Sequence, residues 1–272
     1  MPTAYPRRVV VVLGSGRSGT SLLMQVLSGL GMAVSEQMIE ARRDNPEGFY
    51  EDTRIVRIHV ELLKSLQAWP YFPLPPDWET APATADASRE LQAVLRQRLA
   101  EHDAIWGFKD PRTAAFLPLW QRLFAAENVA PAYVLALREP GSIIESFRRA
   151  YDTPAETAER VWLQRTCDAL HHTAAACCIV HYEDWFTRAD ALAAELARHT
   201  GLDAATAALP DIIKPGLNRA RRDDYLFSNE HARRLDAALK SCRGSDFDRG
   251  PLLQTVAECR AALAAPADST LP

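Results

Sequence analysis

This 272-residue chain predicts an α/β fold of three layers, with helices on both faces of a central, mostly parallel sheet. Three observations carry that expectation. Val9 to Leu13 is an unbroken apolar run, the pattern of a strand covered on both faces, and a glycine-rich turn and a helix start follow it at once. A second strand–turn–helix unit runs from Tyr133 to Leu137 and on into a helix opened near Pro140, with Ser142 in its first turn. Two more short apolar runs, Ile105 to Lys109 and Cys177 to Tyr182, alternate with helical stretches.

The remaining elements follow in order. Ser18, Thr20 and Ser21 open the first helix, which Leu22, Leu23, Val26 and Leu27 continue. Thr53 to Leu66 is helical, with Ile55, Ile58, Leu62 and Leu66 near the 3.6 period. Residues 69–82 are too rich in proline for regular helix. Leu91, Val94, Leu95 and Leu99 mark the next amphipathic helix. A long helix spans about 154–176, with Thr153 and Glu156 as a capping box. Helices near 229–241 and 251–264 complete one domain spanning 1–272, with no repeat or linker and a tail from about 265 expected to be disordered.

Composition narrows the classes of function. Apolar residues make up 47% of the chain, enough for a substantial core, and a net charge of −4 with no long basic tract argues against nucleic acid as partner. The five cysteines are scattered and odd in number, as suits reduced thiols rather than a disulfide framework. No cluster of histidine, cysteine and carboxylate has ligand spacing, so no metal is expected. The start lacks an apolar signal region and no run reaches membrane-spanning length, so the expectation is a cytoplasmic protein without membrane association. The alanine- and arginine-rich make-up suits a bacterial source.

The chemistry concentrates in the first turn, Gly14 to Ser21. A helix N-terminus offers unpaired N–H groups and the positive end of its dipole, which suits a phosphate. Against the triphosphate pattern G-x-x-x-x-G-K-[ST], Gly14, Gly19 and Ser21 fit, but Thr20 takes the lysine position and a different cation, Arg17, stands inside the loop. A phosphate-binding loop (P-loop) of this make suits a shorter phosphate group than a nucleoside triphosphate.

Gly16-Arg17-Ser18-Gly19-Thr20-Ser21 resembles the loop of the sulfotransferase family, which binds the 5′-phosphosulfate of PAPS (3′-phosphoadenosine 5′-phosphosulfate). Cytosolic members carry P-K-S-G-T-T there, and many bacterial ones R-S-G-T-S, which this chain has unaltered. The resemblance implies a P-loop-type α/β/α fold similar to the nucleotide kinases. It also implies a PAPS site formed by Ser15, Gly16, Arg17, Ser18, Gly19, Thr20 and Ser21. The family binds the 3′-phosphate with an arginine at a strand end and a serine eight residues later, and Arg138 and Ser146 have that spacing. An arginine fork and a hydroxyl suit phosphate oxygens. The alternative for Arg138 is a surface ion pair with Glu139 or Glu145.

Further blocks extend the likeness. Cytosolic members place K-T-H-L-P after a strand; Lys109 matches the lysine, whereas Asp110-Pro111 replaces the threonine and histidine base. Lysine is scarce here, four against twenty-seven arginines, which favours a specific role for Lys109 over a salt-bridged turn with Asp110 and Arg112. Residues 45–52 look like the N-P-x-G-[YHF]-[FY]-E segment of bacterial members, which makes Glu51, then Glu47, the candidate base, with Asp110 next. Neighbouring aromatic rings would desolvate such a carboxylate and sharpen it as a base; the plainer reading is an exposed loop carboxylate. Tyr182-Glu183-Asp184 resembles the family's Y-E-D-L and is given a structural role, and Trp162 a core role. The cytosolic R-K-G clamp is missing, and Arg219, in Leu217-Asn218-Arg219, is the candidate replacement.

The implied reaction is sulfuryl transfer from PAPS, without metal, to a hydroxyl (less readily an amine) of a small-molecule, glycan or natural-product acceptor. Trp69, Tyr71, Phe72 and Trp78 either wall the acceptor or pack as an ordinary loop. The alternatives are a P-loop kinase of a small metabolite and a catalytically idle nucleotide-binding protein. Acceptor identity and oligomeric state stay open.

Overall fold

The computed structural model describes residues 7–40, 48–70, 73–203, 209–214 and 225–264. Four strands, β1 (Arg7–Leu13), β2 (Trp106–Lys109), β3 (Val129–Leu137) and β4 (Cys178–His181), form an all-parallel sheet in the order β2-β1-β3-β4. The parallel arrangement follows from the helices between strands, which return the chain to the same edge.

The valine run of β1 is explained by its position. Val9, Val11 and Leu13 pack into the core on one face of the sheet, and Val10 and Val12 into the core on the other. Helices α1 (Thr20–Gly29), α7 (Ala189–Thr200) and α8 (Leu209–Ile212) bring Leu23, Leu27, Leu192, Leu196 and Leu209 to the second face. The first face is covered by α2 (Thr53–Ser65), α3 (Pro82–Glu101), α4 (Leu117–Ala126), α6 (Ala155–His172), α9 (Glu230–Leu239) and α10 (Arg249–Ala264). A period-2 strand with both faces buried leaves no polar position, so the run reads as continuous. The three-layer expectation holds.

The long helix departs from its expected start and end. It begins at Ala155 with no side-chain cap, because Pro154 occupies the N-cap; the Thr153 hydroxyl donates back to the Tyr151 carbonyl at the end of α5 (Pro140–Tyr151). It ends at His172, where Ala174 and Ala175 take positive φ. Strand β3 begins four residues before Tyr133, since Pro131 faces Val9 inside the pair. The first helix also starts differently from the expectation: Gly19, with φ 85°, precedes α1 and no side chain caps it. The Ser18 hydroxyl donates to the Ser15 carbonyl, and that of Ser21 to the Phe49 carbonyl. The expected tail beyond residue 264 lies outside the described residues.

The topology fixes where a ligand fits. The chain passes from β1 to β2 on one side and then to β3 on the other, so β1 and β3 flank a switch point. Ligands of open α/β sheets bind beyond the strand ends at such a point.

Candidate active site

Leu13 of β1 stands opposite Leu135 of β3, so the turn after β1 lies beside the last residues of β3. Gly14, with φ 143°, passes so close that a Cβ there would sit 2.7 Å from the Ala136 carbonyl oxygen. A Cβ at Gly19 would overlap the Tyr182 ring. Arg17 has φ 73°, a left-handed backbone that costs a non-glycine residue of order 1–3 kcal/mol. The turn thereby opens the first N–H groups of α1 toward the sheet end.

One cleft of about 800 Å³, open solvent included, lies above this end. Gly16, Arg17, Gly19, Thr20 and Ser21 line it, together with Glu51, Lys109, Arg138 and Ser146. Residues predicted from four separate stretches of sequence therefore meet in one place. Ser15 and Ser18 are buried behind it, and the Ser15 hydroxyl finds no hydrogen-bond partner among the described residues. Glu47 and Arg219 lie outside the described residues, as do Tyr71 and Phe72.

The two stretches expected to bind phosphate touch. Arg17 Nε donates to Ser146 Oγ at 2.9 Å. Arg138, just past β3, lays its guanidinium over the Tyr182 ring, 4.6 Å from the centroid, in a cation–π contact. Its Nε is buried without a hydrogen-bond partner. Burial holds the Arg138 pKa below the ordinary arginine value; Tyr182 and Glu183 oppose this, and the neighbouring Arg17 charge adds to it. The surface ion pair considered for Arg138 is not formed among the described residues: Glu145 bonds Arg149, and Glu183 accepts from the Glu139 amide.

Across the cleft, Lys109 and Glu51 form a buried ion pair, Nζ to Oε1 at 2.7 Å. Lys109 ends β2 opposite Val12. Glu51 is fixed from both sides in the chain. Its carbonyl accepts from the Ile39 amide, and the next residue, Asp52, caps α2 by accepting from the Arg54 and Ile55 amides. The other Asp52 oxygen is held by Arg98 at 2.8 Å. Glu51 is thus a buried carboxylate with a cation beside it, not the exposed one of the plainer reading.

Asp110, the third candidate base, is engaged on the other side of the turn. Its carboxylate accepts from His59 Nδ1 at 2.7 Å and from the Arg112 side chain at 2.6 Å, and it does not line the cleft. Trp120 Nε1, which can only donate, points at His59 Nε2 at 3.1 Å, so the proton of His59 sits on Nδ1. Burial would push the Asp110 carboxyl up, but the Arg112 charge and the His59 hydrogen bond hold it well below the usual carboxylate range. The salt-bridged turn is therefore half right: Asp110 and Arg112 pair, and Lys109 looks the other way.

The sequence reading missed several cleft residues. Tyr182 walls the cleft as well as ordering the turn after β4, and Gln25, Phe49 and Tyr151 also face it. The signal for Tyr182 was its place immediately after a strand, the same position that singled out Arg138. Trp78 is buried edge-on against Phe116 and does not line the cleft; Trp69 is exposed, with Arg112 5.9 Å from its ring centroid. Trp162 is buried in the core, as expected. Among the described residues no group of three or more histidine, cysteine or acidic side chains could hold a metal, and no helix is long and apolar enough to cross a membrane.

The chain is similar to solved sulfotransferase domains. The sulfotransferase domain of the Synechococcus PCC 7002 olefin synthase aligns over 100% of this chain and 98% of its own, at 16% identity and a TM-score of 0.47. The sulfotransferase domain of the curacin biosynthetic pathway aligns over 97% of this chain and 99% of its own, at 15% identity and a TM-score of 0.44. No protein-family model matches the chain, and no curated protein matches it. Both likenesses are distant, and the chemistry of the cleft rests on its own residues.

Proposed function

We propose that this protein is a sulfotransferase that moves a sulfuryl group from PAPS to an acceptor hydroxyl. One observation supports this above the others: the phosphate loop and the Arg138–Ser146 stretch meet in one cleft, with a lysine–glutamate pair facing them. A donor with phosphate at both its 3′ and 5′ positions needs two cationic ends in one site. The buried, unpartnered Arg138 Nε is what a phosphate oxygen would satisfy.

In this reading Arg17 and the amides of residues 18–21 hold the 5′-phosphosulfate, and Arg138 with Ser146 holds the 3′-phosphate. The acceptor oxygen forms a bond to sulfur as the bond from sulfur to the bridging oxygen breaks. That electron pair leaves with PAP (adenosine 3′,5′-bisphosphate). Glu51 takes the acceptor proton, and Lys109 neutralises charge at the sulfuryl or bridging oxygen. Positioning and charge stabilisation provide the acceleration, as in phosphoryl transfer. No metal enters the scheme. Glu47 and Arg219 remain candidates for the base and for a further 3′-phosphate cation.

Thermal melting with PAP, PAPS and Mg-ATP tests the reading, because a ligand of the folded state at a hundred times its Kd adds about 2.7 kcal/mol. PAP and PAPS are expected to raise the midpoint by several degrees. Stabilisation by Mg-ATP with none from PAP would give the kinase reading the lead. Binding of PAP without transfer to any acceptor would leave a nucleotide-binding protein.

A further inference from the structure

A second cavity of about 450 Å³, open solvent included, opens beside the transfer cleft. Three features join the two. Pro111 lines both. Arg112 lines the second cavity and is close enough to Glu51 for that carboxylate to help raise the Arg112 pKa, against the larger opposing effect of burial and behind the attraction of Asp110. Arg165, also in the cavity wall, places its Nη1 3.7 Å from where a Cβ of Gly16 would stand, at the phosphate loop itself.

The wall is mostly apolar, with Leu63 and Ala68 from the end of α2 and the turn after it, Leu74, Pro111, Ala115, and Val161 from α6, while Arg112, Gln164, Arg165 and Asp168 are its polar members. Val161, Gln164, Arg165 and Asp168 lie at positions i, i+3, i+4 and i+7 of one helix face. Most of the charge in this wall is already answered within the protein, since Arg112 pairs with Asp110 and Asp168 with Arg260. A sugar presents a hydroxyl on nearly every carbon, and burying those without partners costs roughly 1–3 kcal/mol each. Apolar carbon meeting the same walls gains about 25 cal/mol for each Å² removed from water.

From this we infer that the cavity is the acceptor site and that it selects an apolar alcohol or phenol over a carbohydrate, the hydroxyl directed through the Pro111 junction toward Glu51. This inference rests on the sulfotransferase reading for the reaction, though not for the pocket. Ala115 is partly exposed where it lines the cavity, and Leu74 is partly exposed on its rim, so Ala115→Phe fills the space and Leu74→Gln makes the wall polar with modest risk to the fold.

The test measures binding of 2-naphthol and of methyl glucoside by equilibrium dialysis, with and without PAP, alongside PAPS-dependent sulfation of both. Melting curves confirm that each variant is folded. The wild type is expected to bind and sulfate 2-naphthol and to leave methyl glucoside at least tenfold behind in kcat/KM. Ala115→Phe is expected to weaken 2-naphthol binding at least tenfold, Leu74→Gln several-fold, with PAP affinity within twofold of wild type in both. Preference for the glucoside, or 2-naphthol binding that neither substitution changes, overturns the inference. Naphthol binding that depends on Ala115 in a protein that does not bind PAP supports the apolar pocket and overturns the donor reading instead.

Discussion

Arg17 and Ser146, 129 residues apart in the chain, are joined by a hydrogen bond of 2.9 Å from the guanidinium Nε to the hydroxyl oxygen. Ser146 accepts from Arg17 while keeping its own proton to donate to an anion. The two ends of the proposed nucleotide site are therefore mechanically linked. A double-mutant cycle of Arg17→Ala and Ser146→Ala on PAP affinity is expected to show a coupling above about 0.5 kcal/mol. Additive losses, read by calorimetric titration, would mean that the two ends act independently.

Arg138→Ala is expected to weaken PAP binding by about 10- to 100-fold, the loss of a charge-assisted phosphate contact worth roughly 1.5–3 kcal/mol. Arg138 stacks on Tyr182 and makes no ion pair among the described residues, so the melting temperature should change little. PAP affinity equal to wild type would remove Arg138 from the 3′-phosphate site.

Glu51→Gln is expected to lower kcat by about 10²- to 10⁴-fold, the range for a general base, with PAP affinity nearly kept. The same change leaves Lys109 without its buried carboxylate, so destabilisation of a few kcal/mol should accompany it. Single-turnover rates on folded protein separate the two effects. Full activity would pass the base role to Glu47 or Asp110.

His59 donates to Asp110 and accepts from Trp120 in a fully buried chain. His59→Ala removes both bonds at once and is expected to cost about 2–5 kcal/mol in urea unfolding, more than an ordinary surface substitution. Because Asp110 pairs with Arg112 in the wall of the proposed acceptor cavity, KM for the acceptor should rise more than kcat falls. A stability change within 0.5 kcal/mol would mean that water replaces the ring.

Stability should also depend on pH through α6. Burial first, then the Arg260 and His171 charges, lower the His172 pKa from 6.5 to about 4. The folded protein therefore takes up a proton later than the unfolded chain as the solution is acidified. The His172 contribution is complete above pH 6.5 and is lost as pH falls toward 4. Asp168 works in the opposite sense: burial, resisted by Arg260, lifts it to about 6, so its contribution is lost as pH rises from 3.8 to 6. His172→Gln is expected to reduce the drop in stability between pH 7 and pH 5 by about 1 kcal/mol, after allowance for partial exposure. Calorimetric melting at the two pH values checks this, and an unchanged drop would assign the acid sensitivity to other groups.

Much of the fold was legible because its signals are short-range. The valine run, the glycine turn and Pro140 each specify a strand, a turn or a helix start within a few residues. The capping box at Thr153 failed for a local reason too, since Pro154 takes the N-cap position and the Thr153 hydroxyl donates back to the Tyr151 carbonyl rather than accepting from a first-turn amide. Asp52, the cap that α2 does use, went unread, although it is an aspartate directly before a periodic apolar run. The sequence also singled out Lys109 from the charged turn it shares with Asp110 and Arg112, but gave no sign of the partner each would take.

By itself, then, the sequence determined the strand–turn–helix units, the glycine-rich form of the first turn and the set of residues that meet in the cleft. Only the tertiary structure decided the pairings: Lys109 with Glu51, Asp110 with His59, Arg17 with Ser146, and Arg138 upon Tyr182. The reason is physical. Periodicity and turn chemistry are properties of a few consecutive residues, whereas these partners meet because β1 lies between β2 and β3 in the sheet, an order set by burying both faces of the central strand at once.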